Sequence, residues 1–233
     1  WSDANKTTPK TSAPALADAM ELFRPYAEAG REIVCFSISA GMSTSGNVMR
    51  LAAEELGASD RIKVIDSANL STGIGLLVVE AAIMAKNNRT ASQIVSEIEK
   101  LKPNVRASFV VDTLTYLYRG GRCNAVAAMA GGVLKLHPRI VVEDGAMNAS
   151  KKYRGKIASV VMNYVKDMEK DLKKARPERV FITHSGCEQE TVEKVRAYLK
   201  ELDIFDEILE TRAGGVVSSH CGPGTLGVLY IAK

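Results

Sequence analysis

The sequence contains no long hydrophobic run. No apolar stretch reaches the roughly 18 residues that a membrane-spanning helix requires. The chain also lacks a charged start followed by an apolar segment, which is the pattern of a secretory signal peptide. We therefore expect a soluble, cytoplasmic protein without a membrane span.

Cysteine and histidine are scarce, and their spacing does not match that of known metal sites. The four cysteines lie far apart, at Cys35, Cys123, Cys187 and Cys221. No CxxC, HExxH or HxxxH spacing occurs, although zinc sites are commonly built on such spacings. We expect no metal and no disulfide framework, and we interpret the thiols as buried or incidental in a reducing compartment.

Signals of nucleic-acid binding and of nucleophilic catalysis are missing as well. The net charge of +4 is spread along the chain, and no basic stripe interleaved with aromatic residues occurs. We therefore expect no nucleic-acid partner. The GxSxG pattern of a nucleophile elbow is also absent, so the sequence does not support a serine hydrolase of that type.

The chain does have enough apolar material for a substantial core. Hydrophobic residues make up 46% and charged residues 25% of its 233 positions, which is ordinary for a globular protein. This length predicts one large domain or two small ones.

The first half of the chain alternates strands with helices. Short apolar runs at 31–39, 61–67 and 105–112 predict buried strands. Helical patterns lie between them, including the long apolar segment STGIGLLVVEAAIMAKNN. This order predicts a parallel, Rossmann-like α/β/α layer with right-handed crossovers.

The pattern changes in the second half. Asp144 and Gly145 stand between two extended runs and predict a type I′ hairpin, hence antiparallel pairing within a mixed sheet. A long amphipathic helix is predicted after it, over residues 156–174. We therefore predict an N-terminal α/β domain over 1–112 and a C-terminal α/β domain with a mixed sheet over 113–233.

Two polar segments near the N-terminus are candidates for a ligand site. SAGMSTSG, residues 39–46, follows a predicted strand and opens a helix, so its backbone N–H groups and hydroxyls suit an anion. An ordinary helix cap explains the same residues. The turn lacks the lysine of a P-loop and the GxGxxG spacing of a dinucleotide site. TSAP, residues 11–14, has the same two interpretations.

A third candidate is HCGPGTLG, residues 220–227. From the residues alone, His220 is a base, a metal ligand or a hydrogen-bond donor to a bound ligand. No paired acid and no metal-ligand spacing support the first two roles. Two basic runs, RGGR at 119–122 and KKYRGK at 151–156, are either solvated surface or a docking patch for an acidic partner or a phosphate.

Taken together, these motifs resemble those of the DegV family, bacterial fatty-acid-binding proteins that include the acyl-carrying subunit of fatty acid kinase. KTSAP is similar to the family's TSQPS, ISAGMSTSGN to ISSxLSGTYxS, and VIDSANLSTGIG to VIDSxxxSxGxG. DTLTYLYRGGRCN resembles TLEYLxRGGRIS, and SSHCGPGTLG resembles the C-terminal HxGPGxxG. The motifs occur in the family's order and extend over nearly the whole chain.

The resemblance implies two α/β domains with a long acyl chain buried between them. It assigns the carboxylate to Thr11, Ser43 and His220 as hydrogen-bond donors. The residues expected to support these donors are Ser12, Gly41, Thr44, Ser45, Gly222 and Gly224. We expect a bound long-chain fatty acid, similar to palmitate or oleate, and no other cofactor. The pocket walls are expected in the segments 74–79 and 125–134.

The resemblance also implies a carrier without catalytic residues of its own. In the family, the bound acid is presented to a separate kinase subunit, which binds ATP and phosphorylates the carboxylate. We expect this partner to dock on Arg154, Arg119 and Arg122. Two alternatives stay open: a phosphate- or nucleotide-binding enzyme of related architecture, similar to dihydroxyacetone kinase, and a lipid-sensing regulatory module.

The sequence departs from the family pattern in several places. The family's first strand and the segment that follows it have no counterpart before Trp1, so we expect the natural protein to begin further upstream. Ala13 and Ala15 replace the glutamine and the final serine of TSQPS, and Thr44 replaces the glycine of LSG. These replacements would alter the loop around the carboxylate.

Overall fold

The computed structural model of the protein describes residues 1–122 and 136–233. Cys123 and the predicted pocket wall at 125–134 therefore lie outside the described residues. The chain divides into two compact units. The small unit comprises Ser12–Pro103 and Asp144–Ala146, and the large unit comprises Trp1–Thr11, Asn104–Glu143 and Met147–Lys233.

The small unit is built on two parallel strands. Strand β1 (Ile33–Ser37) pairs with β2 (Ile62–Asp66), and this register places Ser37 opposite Asp66 at the carboxyl ends of the strands. The helices of this unit are α1 (Leu16–Glu28), α2 (Ser45–Glu55), α3 (Ser71–Lys86) and α4 (Ala91–Leu101).

Helical spacing of small and apolar residues forms the core of the small unit. Ala19, Phe23 and Ala27 recur at intervals of four residues, so they share one face of α1. That face packs in one cluster with Ala52 and Ala53 of α2. Small side chains at these positions let the two helices approach closely.

The large unit contains a mixed six-stranded sheet. Its strands are β3 (Val105–Val110), β4 (Leu136–Glu143), β5 (Ala146–Arg154), β6 (Ala175–Ser185), β7 (Glu207–Arg212) and β8 (Thr225–Ala232), in the spatial order β5-β4-β3-β8-β6-β7. Of the four strand pairs with a described register in this sheet, β6–β7 is parallel and the other three are antiparallel. Its helices are α5 (Thr115–Arg119), α6 (Ile157–Asp167), α7 (Glu169–Leu172), α8 (Gln189–Glu201) and α9 (Gly215–Cys221). The predicted α/β class with a parallel sheet and a separate mixed sheet is confirmed.

Tyr164 of α6 links the core of the large unit to its sheet. The side chain is completely buried, and its hydroxyl donates to the carbonyl of Ser108 at 2.7 Å. The same oxygen accepts from the backbone N–H of Val228 at 3.0 Å. Because Ser108 and Val228 face each other across β3 and β8, the tyrosine hydroxyl satisfies both strands inside an apolar cluster.

The third predicted strand of the first half lies elsewhere than expected. The segment 105–112 was predicted to continue the parallel layer, but β3 pairs antiparallel with both β4 and β8 in the large unit. The chain accordingly passes from the small unit to the large unit at Asn104 rather than near residue 113. Residues 1–11 also belong to the large unit. A continuous apolar run indicates burial on both faces, which is compatible with either strand direction.

Two helical predictions also need correction. The helix expected over 156–174 is divided, because α6 ends at Asp167 and the four-residue α7 follows Met168. The composition of residues 156–174 favours a helix throughout. We therefore attribute the division to the tertiary packing of the buried Met168 and Leu172 rather than to helix propensity. Helix α9, which carries His220, was not predicted at all.

The hairpin prediction is confirmed. Strands β4 and β5 are neighbours, and Asp144 and Gly145 between them have φ angles of 50° and 74°, as a type I′ turn requires. A Cβ atom on Gly145 would lie 2.6 Å from Oγ of Ser39, which donates to the Gly145 carbonyl at the same 2.6 Å distance. Glycine is thus required here both by conformation and by space.

Candidate functional site

Thr11 and His220 meet within the large unit. Thr11 is the last residue of its N-terminal segment, and His220 lies in the last turn of α9. Oγ1 of Thr11 lies 2.8 Å from Nε2 of His220, and both side chains are partly buried. The structure therefore brings together two of the three residues that the family resemblance assigns to a carboxylate.

The imidazole of His220 packs tightly against α5. A Cβ atom at Gly120 would lie 2.1 Å from Nδ1 of His220, so only glycine leaves room for the ring. Gly222 has a φ of 77°, and a Cβ there would approach the Tyr116 ring to 2.3 Å. One glycine of each motif thus makes room for a ring of the other helix. Gly120 of RGGR leaves space for the imidazole of His220, and Gly222 of HCGPG leaves space for the ring of Tyr116.

The surroundings of His220 favour the neutral form of its ring. Desolvation lowers its pKa, and the positive charge of Arg122 lowers it further. Nδ1 is buried and has no hydrogen-bond partner among the residues that the structure describes. Nδ1 is therefore unsatisfied in either tautomer, and the tautomer protonated at Nε2 is the one that can donate towards Thr11 or a ligand.

The tautomer protonated at Nε2 sets the direction of the Thr11–His220 hydrogen bond as follows. Nε2 of His220 donates, Oγ1 of Thr11 accepts, and the threonine hydroxyl hydrogen stays available to another group. A carboxylate that entered between them would receive hydrogen bonds from both side chains. Such bonds to a charged acceptor are stronger than bonds between neutral groups.

The segment that carries Thr11 is tied down by residues that the sequence analysis did not single out. The Tyr116 hydroxyl donates to Oδ1 of Asp3 at 2.5 Å, and this bond, followed by desolvation, raises the pKa of Tyr116. Nη1 of Arg119 donates to the carbonyl of Ser2 at 3.4 Å. Tyr116 lies in the predicted LTYLYRGG helix, but sequence order alone could not join it to a residue 113 positions away.

Ser43 lies in the small unit, in the loop between β1 and α2. Its Oγ is 2.8 Å from Oγ of Ser45 and accepts from the backbone N–H of Ser45 at 3.2 Å. Thr44 occupies the N-cap position of α2 without a side-chain capping bond. Gly41 donates its N–H to Oγ of Ser39 at 3.1 Å. The hydroxyls therefore lie at the positive end of the helix dipole.

An acidic residue that sequence reasoning missed lies beside this loop. Asp66, the last residue of β2, accepts from the N–H of Ala40 at 3.3 Å and from the N–H of Ala68 at 2.9 Å. Its position could have been anticipated, because Ser37 and Asp66 end neighbouring parallel strands. This carboxylate already occupies one backbone donor of the loop, the N–H of Ala40, and would repel a second anion that bears several negative charges.

The remaining predicted residues are Ser12, Gly224 and three arginines. Ser12 is exposed, and Gly224 donates its N–H to the carbonyl of Ser185 at 2.9 Å with a φ of 74°. Arg122 donates to the carbonyl of Gly120 at 2.8 Å, next to the His220 ring. Arg119 and Arg154 are exposed, the latter at the end of β5.

The thiols that can be described are unreactive groups. Burial raises the pKa of Cys35 and Cys187 to about 11 and that of Cys221 to about 12, so these thiols stay protonated near neutral pH. Over residues 1–122 and 136–233, no set of three or more His, Cys, Asp or Glu side chains is arranged to hold a metal ion. In the same ranges, no helix combines the length and apolar character needed to cross a membrane.

Comparison with known families agrees with the motifs. A family model described as "Uncharacterised protein, DegV family" matches residues 2–233. The chain belongs to the DegV family. A DegV domain-containing protein of Deinococcus radiodurans is 31% identical over 97% of this chain and 79% of its own length. A relative in Clostridium acetobutylicum is 32% identical over 97% of this chain and 80% of its own length.

Solved DegV structures share the fold. A DegV family protein of Thermus thermophilus, described for its fatty acid binding, superposes with a TM-score of 0.87 at 26% identity, over 97% of this chain and 79% of the other. A stearic acid-binding protein of Eubacterium ventriosum gives a TM-score of 0.84 at 27% identity, over 99% of this chain and 80% of the other. The DegV fold expected from the motifs is confirmed.

In this DegV protein, we expect His220 to titrate below its ordinary pKa of 6.5. Arg122→Ala should raise the pKa without restoring 6.5, because desolvation, the larger cause, remains. NMR titration of the ring Cε1–H signal measures this directly. The folded-state pKa lies below the unfolded-state value, so the folded state binds fewer protons. The stability that the neutral ring contributes is therefore lost as pH falls below about 6.5.

Arg119→Ala is the matched control for this titration. It removes the same charge from the same RGGR run, but Arg119 is not among the charges that act on His220. An equal rise of the His220 pKa in both variants, or a value above 6.5 in the unmodified protein, would contradict the electrostatic description of the site.

Proposed function

We propose that this DegV protein binds a long-chain fatty acid, whose carboxylate accepts hydrogen bonds from Thr11, Ser43 and His220. The observation that carries the proposal is the contact between Thr11 Oγ1 and His220 Nε2 at 2.8 Å. Two neutral donors side by side suit a carboxylate, because they satisfy both of its oxygens without a buried cation. Ser43, at the start of α2, is the third donor that the motif comparison assigns.

The related proteins support the same ligand class. The Thermus thermophilus structure concerns fatty acid binding, and the Eubacterium ventriosum protein binds stearic acid. Both are more than 25% identical to this chain and cover nearly all of it. We therefore favour a saturated or unsaturated acid of about this size over a short carboxylic acid.

The acyl tail supplies most of the expected affinity. Burial stabilises by about 0.8 kcal/mol per methylene, so ten buried methylenes contribute roughly 8 kcal/mol, which corresponds to a Kd near one micromolar. In the predicted wall at 74–79, Leu76 and Leu77 are fully buried within the small unit, whereas Val78 is 42% exposed. We propose Val78 and the partly exposed Ile74 and Val79 as the side chains of α3 that contact the tail.

Presentation to a kinase is the second part of the proposal. A carrier needs to expose a docking surface to the subunit that holds ATP, and exposed basic residues suit the acidic surface of a partner. Arg154 and Arg119 are exposed, and we assign the docking surface to them together with Arg122. Because the proposed partner uses ATP, a nucleotide of the cytoplasm, we propose a cytoplasmic location for the protein.

The alternative of a phosphate-binding enzyme is less well supported. Its candidate site is the serine-rich loop before α2, but there the Asp66 carboxylate already accepts from the backbone N–H of Ala40. A phosphate in that loop would face this carboxylate at close range, with like charges repelling each other. A carboxylate ligand with a single charge meets less repulsion than a phosphate dianion.

Replacing the donors should weaken stearic acid binding. Thr11→Val and His220→Phe keep the approximate shapes of the side chains and remove the donated hydrogens. Each should weaken binding about tenfold to a hundredfold, because a hydrogen bond to a charged group contributes roughly 1.5–3 kcal/mol. Displacement of a fluorescent fatty-acid analogue by stearic acid measures the change.

Ser219→Ala is the matched control for these variants. Ser219 is adjacent to His220, but its hydroxyl donates to the Val216 carbonyl of its own helix at 2.8 Å. Its loss should leave the affinity unchanged. Affinities that stay equal in all three variants, or a purified protein that neither carries an extractable acyl chain nor binds stearic acid, would refute the proposed site.

Charge reversal at the docking surface should separate binding from presentation. Arg154→Glu should lower the rate of acyl-phosphate formation by a partner kinase about tenfold, because opposite surface charges steer association. Its affinity for stearic acid should not change. Trapping the acyl phosphate with hydroxylamine gives the rate. Lys200→Glu, the same charge change on α8, is the control, and an equal loss of rate in both variants would argue against docking at Arg154.

A further inference from the structure

The large unit contains a cavity far along its sheet from the α5–α9 contact. The cavity has a volume of about 750 Å³, within the range of small-molecule sites. Its floor is formed by alternate residues of neighbouring strands, among them Arg106 and Ser108 of β3 and Arg139 of β4. Alternate residues share one face of a strand, so a single face of the sheet forms this floor. Met168, which precedes α7, and Asp171, which belongs to α7, line one side.

Arg139 is the unusual residue in this cavity. Its Nε is buried and has no hydrogen-bond partner in the described part of the chain. Nη2 makes only a long bond of 3.4 Å to Oγ of Ser108. The guanidinium lies over the ring of Tyr164, 5.6 Å from the centroid, which holds it in place. Across the described ranges, no carboxylate forms a salt bridge with it.

Positive charge dominates the lining around Arg139, and the nearby Asp167 carboxylate, which attracts it, is already bonded to Lys151 and Tyr153. The lining contains five basic residues and two acidic ones, Glu143 and Asp171. The basic residues are Arg106, Arg139, Lys173, Lys174 and Lys233. Lys173 is paired with Glu169 at 2.5 Å, but the cavity keeps an excess of positive charge. A partly buried guanidinium in such surroundings is stabilised when an anion accepts hydrogen bonds from it.

We propose that this cavity binds a small molecule that bears an oxyanion, a carboxylate or a phosphate, against Arg139. Its oxygens accept from the terminal nitrogens of the guanidinium, in the forked geometry that Arg provides. Lys174 adds charge from the cavity lining, while Met168 and Tyr230 offer apolar contact to the remainder of the ligand. This site is independent of the fatty-acid site and does not rest on it.

The Nε–H signal of Arg139 in an NMR spectrum tests the proposal at the guanidinium concerned. We expect a saturable shift of this signal during titration with inorganic phosphate or acetate, and none with chloride at the same ionic strength. Tighter binding of phosphate assigns a phosphate ligand, and tighter binding of acetate assigns a carboxylate. Lys174→Glu should weaken the anion about tenfold, because it reverses a charge in the lining.

Two further variants keep the test decisive. Lys200→Glu makes the same charge change on α8 away from the cavity and should leave the anion affinity within a factor of about two. Arg139→Lys keeps the charge but loses the fork, so backbone signals of Ser108 and Val228 should show weaker binding. A shift that does not saturate, that chloride reproduces, or that Lys200→Glu weakens as much as Lys174→Glu would overturn the proposal.

Discussion

The hydrogen bond between Thr11 and His220 is the contact on which the proposed ligand site depends. It joins residues 209 positions apart, and it is formed within one compact unit. Burial and the Arg122 charge keep the imidazole neutral, so the ring contributes a single N–H donor. The two donors are held in place before a ligand arrives, which reduces the ordering cost of binding. A charged imidazolium would instead form an ion pair with the acid and carry a large desolvation penalty.

Packing around His220 explains why the surrounding motifs are rich in glycine. Gly120 leaves space for Nδ1 of the ring, and Gly222 leaves space for Tyr116. Tyr116 in turn binds Asp3, which fixes the segment that ends at Thr11. The Tyr116 side chain therefore connects α5, which ends at the RGGR motif, to the two segments that carry Thr11 and His220. A larger residue at either glycine would disturb the geometry of the donors before it affected the sheet.

Much of this architecture could be predicted from the sequence, and the reasons for the exceptions are physical. The Asp144–Gly145 turn was predictable because two adjacent positive φ angles leave few residue choices. The place of β3 was not, since an apolar run records burial but not the direction of its neighbours. His220 and Thr11 could be assigned only through family motifs, because neither carries a local signal of its role. The place of Asp66 follows from the pairing of β1 with β2, whereas the unpartnered Nε of Arg139 emerges only from three-dimensional contacts.

A crystal structure of the protein grown with stearic acid would test the central claim most directly. We predict electron density for the carboxylate within about 3.2 Å of both Oγ1 of Thr11 and Nε2 of His220, in place of their mutual hydrogen bond. Ser43 should donate to the same carboxylate. Density for the acid with its carboxylate distant from Thr11 and His220, while those two side chains remain bonded to each other, would contradict the account.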